Sequence, residues 1–520
     1  MRETLLKNRT RLLVIAVLLF LFLSASQGME PNDWVITVLR GLAVGAITFL
    51  VASGFSLILG LMDVLNLAHG ELFMLGAYIG WTVYIRPDTF VDGLTPLTFL
   101  AVGLVLMPVI AAWLGRMTAP AGLLRFWPWV SLVAALGLLA TTFLRWPITI
   151  WDPEEYALSP VIFSLAFDQG TLQLPEPVPF TEISPLLMIV GTLVGGLLLA
   201  AAVVGLRRMR RRGLGSTHTG RGPYLTAAAL LVIGLVALAL NDSLTEWIFN
   251  LSTNWRFVLA IIVATAAGGV LGALVESTLI RPLYDRPIYQ IMLTLGLSFI
   301  GIEIVRSIWG RPEFTMPKPE LFSGTGAGCS NEVIALAERL ANNCSTIFLF
   351  DGRVRTYNEV FVILIGLVVL ISVWLLLQRT RLGMIIRAGV QDSEMVEALG
   401  INVRRVFTLV FALGVALAAL GGVLAAPSIG LSNDMGTTFL LLALIALAIG
   451  GLTSFPGAAA GAVLVGLIQQ FIIKYGQIGI NLPFLAEPFK PSPPLVPAST
   501  VLLMVIILLI LPQGLFGRED

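Results

Sequence analysis

The segment LMDVLNLAHGELF, residues 61–73, carries the side chains of this sequence that are best suited to chemistry. Its polar members lie between two long apolar runs, and they are Asp63, Asn66, His69 and Glu71. A charged side chain at the centre of a bilayer costs about 2.5–3.5 kcal/mol or more, so such residues usually mark a pathway, a partner contact or an interface. The cluster is therefore the first candidate for a functional site.

Two interpretations of this cluster fit the sequence. Gly60 and Gly70 bracket it, and glycine lets a membrane helix break where surrounding protein satisfies the backbone. In the first interpretation, a broken helix presents Asn66, His69, Gly70 and Glu71 to a substrate pathway. In the second, the segment is a short cytoplasmic turn, in which the side chains act as helix caps and Glu71 stabilises a helix N-terminus.

The composition indicates what kind of scaffold holds these residues. The chain has 520 residues, of which 57% are hydrophobic and 12% charged, whereas globular domains have about 25% charged residues. Apolar runs of about 17–25 residues recur along the chain. They predict an all-α polytopic membrane protein of about 11–14 transmembrane helices, some of them short or broken, with no soluble domain. The net charge of +1 gives no indication of nucleic-acid binding.

Loop charges predict the topology. The N-terminus has a basic start and an apolar core, which fits an uncleaved first span or a cleavable signal peptide. Basic residues recur in alternate loops, which are predicted to be cytoplasmic together with the N-terminus: 117–127, 207–222, 281–288 and 379–403. The opposite side receives the loops 146–186 and 310–359. The second of these holds Cys329 and Cys344, which suggest a disulfide, two free thiols being the alternative.

The cytoplasmic loop 379–403 contains a predicted short amphipathic helix. Asp392 or Ser393 can cap its start, and Gly400 suits the C′ position at its end. Such a helix is suited to enter a groove on a partner protein, although it could also lie on the membrane surface or on neighbouring loops. The predicted docking residues are Asp392, Ser393, Glu394, Met395, Glu397, Ala398, Leu399 and Gly400.

At three blocks the sequence resembles the permease subunits of bacterial branched-chain amino acid ABC transporters. Residues 34–85 contain NLAHGELFMLGAY, and residues 256–310 contain VESTLIRPL. Residues 379–473 contain TRLGMIIRAGVQDSEMVEALGI followed by GGLTSFPGAAAGAVLVG. The blocks occur in the order found in that family, so the resemblance implies a permease built around them.

The blocks divide the chain into predicted regions. These are an N-terminal anchor or signal-like span (1–33), a first permease block (34–85), an inserted transmembrane region (86–255), a middle block (256–310), an external loop with both cysteines (311–359) and a C-terminal block with the coupling helix (360–520). The inserted region and the long external loop depart from the compact permease pattern.

The resemblance implies a transport subunit in a bacterial inner membrane, and not an enzyme. Its implied partners are ABC ATPase subunits, a second permease subunit of the same or a related chain, and an extracytoplasmic substrate-binding protein. The chain has no G-x-x-x-x-G-K-[ST] motif. ATP is therefore expected to be used by the partner ATPase subunit, and this chain is expected to bind no cofactor. Neither C-x-x-C spacing nor clustered histidines support a metal site.

Three alternatives remain at this stage. A permease for urea or a short amide would look similar. A secondary transporter driven by an ion gradient would use buried carboxylates, for which Asp63, Glu71 and Glu303 are the candidates. A membrane enzyme finds no support, because H-E-x-x-H and a plausibly placed G-x-S-x-G are absent.

Overall fold

The architecture was analysed in a computed structural model. It describes residues 9–26, 28–116, 121–148, 184–210, 220–284, 286–325, 327–329, 336–349, 352–391, 393–480 and 487–517. Several sequence predictions therefore lie outside the described residues: Asp392, the basic start before residue 9, most of loop 146–186 and much of loop 207–222.

The described residues are predominantly helical. The helices are α1 (Arg9–Ser24), α2 (Pro31–Met62), α3 (His69–Ile85), α4 (Pro87–Val105), α5 (Met107–Arg116), α6 (Ala121–Thr142), α7 (Pro185–Arg210), α8 (Gly222–Ala239), α9 (Asn241–Phe249), α10 (Thr253–Val275), α11 (Pro287–Trp309), α12 (Leu336–Ala341), α13 (Val362–Arg379), α14 (Arg381–Gln391), α15 (Ser393–Ala398), α16 (Val403–Ile429), α17 (Met435–Gly450), α18 (Phe455–Ile478) and α19 (Leu495–Ile510). A hairpin of β1 (Thr346–Leu349) and β2 (Gly352–Arg355) is antiparallel.

This architecture confirms the predicted fold class. Among the described residues, nine helices are long and apolar enough to cross a membrane, and three further apolar helices are shorter. The chain is therefore a multi-pass membrane protein. Two of the helices contain π-helical turns, Glu276–Ile280 at the end of α10 and Thr356–Phe361 at the start of α13.

The described residues divide into two compact units. The first contains those of 1–84 and 253–520, and the second contains those of 85–252. In the second unit, α4 contacts α7 and α8, and α6 contacts α7. Glycines allow this packing, since a Cβ on Gly103 would overlap the backbone of Gly196. The division into functional regions stays a prediction.

The first unit is built on close contacts between glycine-rich helix faces. Helix α2 packs on α16, α17 and α18. Small residues let helix backbones approach closely where lipid provides no hydrophobic drive for association. A Cβ on Gly422 of α16 would overlap the carbonyl oxygen of Phe73 in α3, and one on Gly54 of α2 would overlap the carbonyl of Gly414.

Helix α2 extends from one end of this unit to the other. Near its start, Arg40 forms an ion pair with Glu359, which follows the β-hairpin. Near its other end, Leu61 lies with Ile386 and Val403 around a small apolar gap. The 21 residues from Arg40 to Leu61 span about 32 Å at the rise of an α-helix. The docking segment and the cysteine loop therefore lie at opposite ends of α2. Within the cysteine loop, Cys329 and Cys344 form a disulfide.

We expect Gly422→Ala to destabilise the protein by about 1–3 kcal/mol, because the added methyl group has to displace the α3 backbone. Gly296→Ala in α11 is the matched control, since a Cβ there meets nothing within 4 Å. Unfolding in mixed micelles with increasing sodium dodecyl sulfate measures both variants. Equal stability of the two variants would contradict the packing account.

Candidate functional site

The helix predicted to break does so at Met62. Asp63 adopts a left-handed backbone conformation with φ 53°, and its N–H donates to the carbonyl oxygen of Leu59 at 3.0 Å. Aspartate tolerates this conformation better than most residues do. Residues 63–68 are not helical, and α3 begins at His69.

The chain after the break turns back into the protein. The Nε2 atom of His69 lies 3.1 Å from the carbonyl oxygen of Val51. Val51 precedes the end of α2 by 11 residues, or about 16 Å of helix, and six extended residues can span about 20 Å. Val64, Asn66 and His69 are buried. The segment 63–68 therefore runs back alongside α2, and α3 starts inside the helix bundle.

Three helices meet around the start of α3. The Oε1 atom of Glu71 accepts hydrogen bonds from Ser298 of α11 at 3.0 Å and from Thr437 of α17 at 3.2 Å. Gly70 packs against Gly436 so closely that a Cβ would overlap its carbonyl. The ring of His69 lies edge-on to Phe55 with centroids 5.7 Å apart.

Several polar atoms in this cluster have no hydrogen-bond partner within the described residues. They are both side-chain heteroatoms of Asn66, Nδ1 of His69 and Oε2 of Glu71. Since a carbonyl can only accept, Nε2 of His69 carries the proton and Nδ1 is left as an acceptor. Each unpaired buried group costs about 1–3 kcal/mol. The cluster thus offers donors and acceptors that a polar solute could use. Asn66, His69, Gly70 and Glu71 lie within six consecutive residues that run from the break into the first turn of α3.

The segment predicted to dock is larger than the sequence suggested. An amphipathic helix, α14, precedes α15 and buries Ile386 while exposing Met384. It begins where Oγ1 of Thr380 accepts from the N–H of Gly383 at 3.1 Å. The spacing of Gly383, Ile386 and Gly389 could have revealed it, but the basic residues Arg381 and Arg387 are typical of a loop.

The short helix α15 presents two apolar side chains outward. Met395 is 61% exposed and Leu399 is 74% exposed, whereas Val396 is 4% exposed and packs inward. Gly400 takes the C′ position with φ +82°, and the N–H of Ile401 donates to the carbonyl of Val396 at 3.3 Å. This arrangement is a Schellman cap. The apolar side chains of the predicted amphipathic helix are therefore divided, with Val396 anchoring the helix and Met395 and Leu399 facing away from the bundle.

A second buried cluster, which the sequence did not single out as a site, lies near the docking end. Glu276 is fully buried in the π-helical turn, and its carboxylate accepts two hydrogen bonds from Arg281, at 2.8 and 3.1 Å. The hydroxyl of Thr408 donates to the same carboxylate at 2.7 Å, and that of Tyr284 also does. Thr408 belongs to α16, which follows the docking segment. Through Thr408, the Glu276 network thus links the end of α10 to α16, the helix that follows the docking segment.

Comparison with known proteins places this architecture in a family. The family model described as the permease component of branched-chain amino acid transport systems matches residues 218–511. The chain belongs to this permease family. No solved structure matches it.

Named relatives of the permease differ in what they carry. The branched-chain amino acid permease LivH of Escherichia coli K12 is 25% identical over 57% of this chain and 81% of its own length. BraD of Pseudomonas aeruginosa, also a branched-chain amino acid permease, is 30% identical over 33% of this chain and 51% of its own. The fructose import permease FruF of Bifidobacterium longum is 26% identical over 48% and 64%. The permease role in an ABC importer is common to the family, and members of this family are not enzymes.

We expect Glu276→Ala to destabilise the permease by about 1–3 kcal/mol, because Tyr284, Thr408 and the partly exposed Arg281 would lose the buried carboxylate that accepts their hydrogen bonds. Asp33→Ala is the control: Asp33 pairs with Lys474 at 2.6 Å with its side chain 44% exposed, and such a pair contributes about 0–1 kcal/mol. Unfolding with sodium dodecyl sulfate compares the two, and similar losses would show that the Glu276 network is no more than a surface pair.

Proposed function

We propose that the permease translocates branched-chain amino acids, driven by separate ATPase subunits that hydrolyse ATP. The family description and the amino acid permeases LivH and BraD support this substrate class over the sugars of FruF. The observation that supports this proposal most directly is the match to the family model over residues 218–511. A second permease subunit and an external substrate-binding protein complete the proposed transporter in a bacterial inner membrane, with the N-terminus in the cytoplasm.

The proposed ATPase contact is the segment formed by α14 and α15. The exposed Met395 and Leu399 give an apolar edge that suits a groove on a partner, with Glu397 also exposed beside them. Because α14 contacts α2 and α16, a push on this segment acts directly on two helices that are buried along much of their length. The Glu276 network then transmits the motion to α10.

The proposed pathway includes the broken segment at Asn66, His69, Gly70 and Glu71. Unpaired polar atoms there supply hydrogen bonds that would replace part of a solute's hydration shell. Glu71 has two hydroxyl partners, so its proposed role is to hold the start of α3 and not to carry protons.

Glu397→Arg combined with Leu399→Asp should abolish binding of the ATPase, because both side chains are exposed and the change reverses a charge and removes the apolar contact. The bundle should stay folded. Co-purification with the ATPase and ATP hydrolysis in nanodiscs measure the effect, and Leu321→Asp, an exposed change at the other end of α2, is the control. Undiminished ATPase binding by the double variant would refute the docking proposal.

Asn66→Ala should lower uptake of leucine by about tenfold, the loss expected for a hydrogen bond of about 1–2 kcal/mol, while leaving stability unchanged or higher. The reason is that the side chain of Asn66 has no partner to lose. Uptake into proteoliposomes and unfolding are both measured. Ser53→Ala is the control, since Ser53 donates to Leu50 at 3.0 Å. A loss of stability with normal uptake would instead make Asn66 a structural cap.

A further inference from the structure

A cavity of about 260 Å³ lies at the end of α2 opposite the docking segment. It is enclosed by α2, the π-helical turn before α13, and the last turn of α16. Its polar and apolar walls are formed by residues including Arg40, Ile47, Asn358, Glu359, Val362 and Ser428. Liquid water occupies about 30 Å³ per molecule, so the cavity admits a solute of several heavy atoms, below the size of pockets for drug-like ligands.

The two charged side chains of the cavity's ion pair, Glu359 and Arg40, differ in how far they are buried. The Glu359 side chain is 2% exposed, and its Oε1 atom accepts from Nε of Arg40 at 2.9 Å. Its Oε2 atom accepts from the backbone N–H of Arg355 at 2.6 Å, which fixes the carboxylate independently of Arg40. The Arg40 side chain is 45% exposed, so its guanidinium can turn toward a ligand.

We propose that this cavity receives a free α-amino acid as its zwitterion. The ligand carboxylate binds the Arg40 guanidinium, the ammonium group binds the Glu359 carboxylate, and the aliphatic side chain lies on Ile47 and Val362. The inference rests on the proposed function and adds the place and chemistry of recognition. Asn358, which accepts from Ser428 at 2.8 Å, adds a polar edge beside the ammonium group.

Electrostatics favours this ligand over a neutral one. Opening the Arg40–Glu359 pair for a zwitterion exchanges one ion pair for two, so neither the buried Glu359 nor the half-exposed Arg40 is left without a charged partner. Arginine also matches a carboxylate through two parallel hydrogen bonds. Urea or a sugar carries no charge, so it could not replace either partner of the opened ion pair. The lining contains two arginines, Arg40 and Arg355, but one carboxylate, that of Glu359. This excess of positive charge also favours a ligand with a negative group.

The position of the cavity connects it with the broken helix. Arg40, Val44 and Ile47 line the cavity from one face of α2, and the same face continues to Val51, whose carbonyl accepts from His69. Ile47 and Val51 are one helical turn, or about 6 Å, apart. Both are buried, so the cavity and the broken segment lie along one buried face of α2.

The test compares charge-neutralised variants with ligands that lack one charge. Tritiated L-leucine is bound to the purified full-length permease in nanodiscs, with L-leucinamide and N-acetyl-L-leucine as competitors. Arg40→Gln should weaken leucine binding at least about tenfold and let leucinamide compete as well as leucine. Glu359→Gln should also weaken leucine binding, and it should let N-acetyl-leucine compete as well as leucine. Lys474→Gln, which breaks a different ion pair of α2, should behave as wild type.

The outcomes separate the site from the function. Unchanged selectivity between leucine and its two analogues in Arg40→Gln would overturn the cavity assignment, and this variant remains informative if Glu359→Gln fails to fold. Uptake by the complete transporter is measured in parallel. If the wild type imports leucine with ATP while Arg40→Gln keeps wild-type selectivity, the site is wrong and the proposed function stands. If the wild type neither binds nor imports leucine, both are wrong.

Discussion

Enclosure of the non-helical segment 63–68 is the constraint on which the first unit depends. Backbone N–H and C=O groups cannot face lipid unpaired, so a broken helix persists only where protein surrounds it. The surrounding helices must come very close, and glycine makes that possible at Gly54, Gly70 and Gly422. The break depends on these glycine-rich faces, because a larger side chain at Gly54, Gly70 or Gly422 would displace α3, which begins where the break ends, or the helices packed around it.

Two buried carboxylates share one design at opposite ends of this unit. Glu276 and Glu359 each lie in a π-helical turn, and each pairs with an arginine. A π-helical turn inserts one residue into the helix and often marks a functional position. Here each π-helical turn carries a buried carboxylate, so the docking end and the cavity end are each held by hydrogen bonds from an arginine.

The sequence predicts the helices well because apolar length is a local property. The long apolar run before Asp63 became α2, and the segment 63–68, which contains Asp63 and Asn66, became the break. The sequence could not predict the distant partners of the buried charges. Glu276 meets Thr408 and Glu359 meets Arg40 across more than a hundred residues of chain, and only tertiary packing sets those pairs. Helix α14 was missed because its basic residues resemble a loop, while its buried face is defined by contacts with other helices.

The disulfide between Cys329 and Cys344 bears on how the protein matures. The carbonyl of Cys344 accepts from Oγ1 of Thr356 at 3.0 Å, and Thr356 opens the turn that carries Glu359. Thiols are kept reduced in the cytosol, so in the predicted topology, where this loop is external, the bond forms only after the loop has crossed the membrane. In that topology, insertion of the helices comes before oxidation of the loop. A newly inserted copy lacks this covalent support until an external oxidant has acted.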